Sequence, residues 1–145
     1  MFDHFIAAQE PVYAQALAEL RAGRKQSHWM WFIFPQIAGL GNSAMAQRFA
    51  LANLAEAQAY LAHPVLGPRL RECTQAILQH APGTAKPRAL DAILGYPDDL
   101  KFHSAMTLFN NAAPDEPLFA QALDAFCGGR RDAATLARRS EEHTS

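Results

Sequence analysis

Lys101 and Ser104 stand three residues apart in the segment Pro97-Asp98-Asp99-Leu100-Lys101-Phe102-His103-Ser104. On a helix that spacing sets an ammonium one turn from a hydroxyl. Such a pair can activate the hydroxyl as a nucleophile, provided the lysine's pKa is depressed. The bland alternative is a solvated helix face: Lys101, Ser104, Thr107 or Leu108, and Asn111 share one side, and Asp98 can pair with Lys101 locally. His28 and His63 are the next polar candidates. His28 sits at the mouth of an aromatic run. His63 ends a helical segment, where the carbonyl end of the backbone dipole favours a protonated imidazole. Both read as structural caps, or as the rim of a pocket if they converge with Lys101 and Ser104.

The run itself is Ser27-His28-Trp29-Met30-Trp31-Phe32-Ile33-Phe34-Pro35-Gln36, which holds both tryptophans and two of the nine phenylalanines. Six consecutive apolar residues in a helix point in every direction, so most of Trp29 to Phe34 reads as core. A buried indole N–H needs a hydrogen-bond partner. If Trp29 or Trp31 faces a cleft instead, its ring offers a flat stacking surface for a planar ligand such as a nucleobase or nicotinamide. Polar His28 and Gln36 bound the run, where packing alone does not require them.

Other chemistry is poorly supplied. No H-x-x-x-H or H-E-x-x-H spacing occurs, and His4, His80 and His103 are scattered, so no metal site is expected. Cys73 and Cys127 form no C-x-x-C motif and read as buried free thiols. Gly39-x-Gly41 is too short for a dinucleotide fingerprint, and no cofactor is called for. A phosphate would fall to Arg24, Lys25, Arg48, Lys101 or a helix N-terminus.

These residues are carried by a chain of 145 residues, 50% apolar and 19% charged, with a formal charge of −1. Its size supports one core without disulfides, and its composition excludes intrinsic disorder. Near-neutral charge argues against nonspecific binding to nucleic acid or anionic membranes. No apolar run approaches the ~20 residues that span a bilayer, and no basic start precedes a signal core, so a cytoplasmic protein is expected.

Apolar residues recur at helical spacing between turn signals, without sustained alternation. The pattern predicts an all-α, single multihelical globular domain with the aromatic segment buried at its centre. Phe2, Phe5 and Ile6 make a short first turn. Pro11 to Gly23 is a helix with Tyr13, Leu17 and Leu20 on its face. Ser27 can N-cap the aromatic run, which stops before Pro35 and reads as a buried helix or, alternatively, a central strand. Residues 36–42 form a loop, followed by a turn containing Met45 and Phe49. Asn53 and Glu56 resemble a capping box. Leu66, Leu70, Cys73, Ile77 and Leu78 make the stripe of a helix broken at Pro82-Gly83. Leu90 to Leu94 is a short helix before Gly95, and Pro97-Asp98-Asp99 opens the helix of Lys101. Asp115 and Pro117 open the last long helix, and Asp132 caps a final one.

Three blocks carry a family resemblance: Ser27 to Gln36, Tyr60-Leu61-Ala62-His63-Pro64-Val65-Leu66-Gly67, and Pro97-Asp98-Asp99-Leu100-Lys101-Phe102. In this order they are similar to a bacterial family catalogued as domain of unknown function 1810, over nearly the whole chain to about Leu136. The resemblance implies a small all-helical protein and brings no activity. Where that family usually has Arg or Gln after Lys-Phe, this sequence has His103. Some members carry the label calpastatin, which an apolar, repeat-free chain does not support physically. Residues 139–145, Arg-Ser-Glu-Glu-His-Thr-Ser, match the translation of a sequencing adapter, so the domain is expected to span 1–138 with a non-native tail.

Two functions follow as expectations. The first is a pocket for a small planar or phosphorylated, nucleotide-like metabolite, hydrolytic if it has a chemistry. It is built from His28, Trp29, Trp31, Gln36, His63 and Lys101, with Lys101, Ser104 and His28 as the candidates for catalysis. The second is a protein interaction module without catalytic activity.

Overall fold

A computed structural model describes residues 1–138; the expected tail, 139–145, lies outside the described residues. The described residues form ten α-helices: α1 (Asp3–Gln9), α2 (Tyr13–Ala22), α3 (Met30–Ile33), α4 (Ala44–Arg48), α5 (Leu54–Ala62), α6 (Leu66–Leu78), α7 (Leu90–Leu94), α8 (Asp98–Ala112), α9 (Pro117–Cys127) and α10 (Ala133–Arg138). Their starts and stops follow local chemistry. Gly23 and Gly128 close α2 and α9 in left-handed geometry, which costs little without a Cβ. Asn53 accepts from the Glu56 amide at the start of α5, and Pro117 opens α9.

The longest helix, α8, is central. It packs against α5, α7, α9 and α10, and Phe102, Ala105, Met106, Leu108 and Phe109 on it are fully buried. Tyr60 from α5, Phe109 and Phe119 from α9 form a chain of rings with centroids 5.7 Å apart at each step. Phe34 meets Phe102 edge-on at 5.1 Å. Aromatic pairs in such arrangements add about 0.5–1.5 kcal/mol beyond their buried area.

The aromatic segment lies in this core as expected, but its helix is shorter than its sequence suggests. Only Met30 to Ile33 is helical, and Ser27 is not its cap. The reason is Glu19 on α2, buried beside Leu20 and Ala16. Its carboxylate accepts from the Gln26 and Ser27 amides at 2.8 and 3.1 Å, the Ser27 hydroxyl at 2.7 Å and the Trp29 indole N–H at 2.9 Å. These bonds bend residues 26–29 around one anion, so Ser27 serves Glu19 and not a helix terminus. At the other end, buried Gln9 donates to the Phe32 carbonyl at 2.7 Å.

Beyond Pro35 the chain leaves the core through a clasp. Leu51 donates to the Gln36 carbonyl at 2.9 Å, and Ala38 donates to the Leu51 carbonyl at 2.8 Å. Ile37 is buried there, so its neighbour Gln36 faces outward. That alternation delivers Gln36 to the site described next.

Candidate functional site

Gln36, Lys101 and Ser104 line one open cleft of about 380 Å³ between loop 36–43, the first turns of α8 and the start of α10. Asn42, Ser43 and Asp132 are its other polar residues. Each arrives for a different reason. The clasp to Leu51 turns Gln36 outward. Asp98 is shared by Lys25 Nζ at 3.0 Å and Lys101 Nζ at 3.5 Å, and Lys101 also lies over the Trp31 ring, 5.1 Å from its centroid. Ser104 donates to the Leu100 carbonyl, one turn back, at 3.1 Å and to the Asp132 carboxylate at 3.2 Å.

Asp132 is the organising acceptor of the α10 wall. Its Oδ2 also accepts from the Thr135 amide at 3.1 Å and the Thr135 hydroxyl at 2.5 Å, capping α10. Its own amide donates to Thr107 Oγ1 at 2.9 Å. The polar side of α8 is therefore covered by α10, and the expectation of a solvated face fails at Ser104 and Thr107, both buried.

The two members of the expected nucleophile pair share the cleft and turn to different partners. Among the described residues no hydrogen bond joins Lys101 to Ser104. Asp98 and the Trp31 face draw the ammonium toward the N-terminus of α8, while the hydroxyl turns to Leu100 and Asp132. The cleft thus presents a cation, two amides, hydroxyls and a carboxylate, with the Ser104 hydroxyl directed to Asp132 and Leu100.

The remaining expected site residues lie elsewhere. Trp29 is wholly buried and its indole is bonded to Glu19, so no stacking face is open. Trp31 is half-buried beneath Lys101, which occupies the surface a planar ligand would need. His28 is exposed and does not line the cleft. His63 is a cap of opposite polarity to the one expected: its Nδ1 accepts from the Val65 and Leu66 amides at 3.1 and 3.3 Å. The His63 side chain therefore serves the start of α6, while its backbone amide donates to the Tyr60 carbonyl at the end of α5. His103 donates to the Arg130 carbonyl at 2.7 Å, on a separate groove with Leu90 and Phe126.

Sequence reasoning read Asp132 as a helix cap and missed its place on the cleft. The sign was present in its spacing behind Gly128-Gly129, a sharp turn that folds α10 back on α8, but the partner helix cannot be named from spacing. Asn42 falls in the loop that the sequence predicts over 36–42, and nothing in the sequence singles out Ser43.

Electrostatics sharpen two roles. Burial alone would raise the Glu19 carboxyl, but the hydrogen bonds from Gln26, Ser27 and Trp29 prevail and lower it from 4.5 to about 2. Burial pushes the thiols up, Cys73 to about 12 and Cys127 to about 11, which makes both poor nucleophiles. Among the described residues no cluster of His, Cys, Asp and Glu is arranged to hold a metal ion, and no helix is long and apolar enough to cross a membrane.

Comparison with known proteins places this architecture. No curated protein matches the sequence. The crystal structure of the conserved hypothetical protein Rv1873 from Mycobacterium tuberculosis is similar at 48% identity, with a TM-score of 0.88 over 94% of each chain. The model of the family described as protein of unknown function, DUF1810, matches residues 1–138. The chain belongs to the DUF1810 family.

Proposed function

We propose that this protein binds a small polar metabolite in the cleft formed by loop 36–43, α8 and α10. The observation that carries the reading is the meeting of Gln36, Lys101 and Ser104, from segments far apart in sequence, on one concavity with Asp132. The Gln36 side-chain amide has no hydrogen-bond partner among the described residues, and the ammonium of Lys101 is only partly compensated by an Asp98 it shares with Lys25. Polar groups converging on a concave surface of this size suit recognition of a small molecule. Binding is the role we assign, because the Ser104 hydroxyl is shared between the Leu100 carbonyl and an Asp132 carboxylate oxygen that already accepts twice from Thr135.

A thermal-shift screen with nucleotides, nicotinamide compounds and sugar phosphates tests this. A ligand at 100 times its Kd raises stability by about 2.7 kcal/mol. Lys101→Met should abolish the shift while leaving the unliganded protein folded; a shift retained in that variant contradicts the reading.

One observation favours the interaction-module reading. Leu100 is exposed beside a shallow groove of Ala89, Leu90 and Phe126, and Tyr96, four residues before it, is exposed too. If this surface is the functional one, Tyr96→Ser with Leu100→Ser abolishes partner binding, whereas Lys101→Met leaves it intact.

A further inference from the structure

We infer that the ligand of this cleft is dipolar, with an anionic group for Lys101 and a proton-donating group, hydroxyl or ammonium, for Asp132. The inference rests on the cleft being a binding site and names the class of molecule it takes. Lys101 and Asp132 line the same cleft with opposite charges, yet among the described residues no ion pair joins them. Each is tethered on its own side. Lys101 is held by Asp98 and the Trp31 ring, and Asp132 by the Thr135 amide and hydroxyl and the Ser104 hydroxyl. Tethered opposite charges cannot collapse onto each other, so the unfilled valence of both is directed at whatever enters between them.

The balance of charge at each end sets the orientation. Lys25 and Lys101 share the single carboxylate of Asp98, which leaves one positive charge in excess at that end. At the other end Oδ2 of Asp132 carries three bonds, while Oδ1 has no hydrogen-bond partner among the described residues and remains an acceptor. Asn42 and Gln36, between loop and helix, supply neutral donors and acceptors that suit either group. A ligand that sets an anionic group against Asp132 would be repelled there, and one that sets a cationic group against Lys101 would be repelled at that end. That double rejection is the specificity element.

Four probes resolve this by calorimetry on the full chain: inorganic phosphate, ethanolamine, phosphoethanolamine and glycerol 3-phosphate. Phosphoethanolamine or glycerol 3-phosphate should bind at least tenfold more tightly than phosphate, and ethanolamine more weakly still. Which of the two is tighter identifies the donor as ammonium or hydroxyl. Asp132→Asn keeps a capping side chain for α10, so it should fold with an unchanged circular dichroism spectrum. In that variant the advantage over phosphate should vanish, and Lys101→Met should lose all binding.

Phosphate binding as tightly as the bifunctional probes, an Asp132→Asn variant with the advantage intact, or no binding by any probe overturns the dipolar class. A neutral or planar compound that binds in the cleft and is lost with Lys101→Met would overturn it too while sustaining the cleft as a binding site. Failure of the cleft itself is separate: it requires that compounds from the broader screen bind without dependence on Lys101, or that none binds.

Discussion

Glu19 is the residue on which the aromatic segment hangs. A carboxylate lowered from 4.5 to about 2 stabilises the fold fully above pH 4.5 and loses that contribution as pH falls toward 2. The difference corresponds to roughly 3 kcal/mol. Urea unfolding at pH 6 and pH 3 should show this loss in the native protein, and Glu19→Gln should be weaker at pH 6 and nearly flat between the two. Lys101 makes a different kind of contribution. Its ion pair is partly exposed and worth at most ~1 kcal/mol, so Lys101→Met should leave Tm within a few degrees. It removes a cation from the Trp31 face, however, so tryptophan emission should change in that variant, whereas adding Lys101→Met to Trp31→Phe should leave the emission of Trp31→Phe unchanged. The thiols supply a third check at this scale. With its thiol pushed up to about 12 and the side chain buried, Cys73 should resist a thiol reagent at pH 7 until the protein is unfolded.

At the scale of elements, caps decide where helices begin, and one of them, Asp132, lies on the cleft. His63 accepts at the start of α6, so His63→Ala should cost about 1 kcal/mol and His63→Asn should recover most of it, as read by thermal unfolding. Asp132→Ala removes both the α10 cap and the acceptor of Ser104, and hydrogen exchange should accelerate across α10 while α5 and α6 stay protected. Helix positions were largely legible in the sequence because Gly23, Asn53, Pro82-Gly83, Gly95, Pro117 and Gly128 act locally on their own backbone. Two features were not. The aromatic helix lost its first turn to Glu19, ten residues upstream of Trp29, and the His63 side chain served the helix after it while only its backbone capped the one before. Both outcomes depend on which distant or following donor wins a side chain, and periodicity contains no information on that contest.

At the scale of the molecule, burial governs stability and convergence governs function. Trp29, Tyr60, Phe102, Phe109 and Phe119 are fully buried around α8. Truncating Phe109 to Ala should cost about 3–5 kcal/mol, a large share of a domain's net stability. The all-α class and the central burial of the aromatic run were readable because hydrophobic pattern sums over many residues. The cleft was only half readable. Gln36, Lys101 and Ser104 were named, yet Asp132 was seen as a cap, and His28, His63 and both tryptophans were assigned to a site that they do not reach. Chemical type can be read residue by residue, whereas a shared concavity depends on the packing of α10 against α8 and on the Ile37 to Leu51 clasp.

The cleft as a binding site is most directly tested by amide and side-chain NMR shifts during titration with the strongest compound from the thermal screen. Binding there should move the Gln36 and Asn42 side-chain amides together with the Ser104 and Asp132 backbone signals, and none of these in Lys101→Met. Shifts confined to Leu90, Leu100 and Phe126, or unchanged signals at Gln36 and Asp132 at saturating ligand, would contradict it.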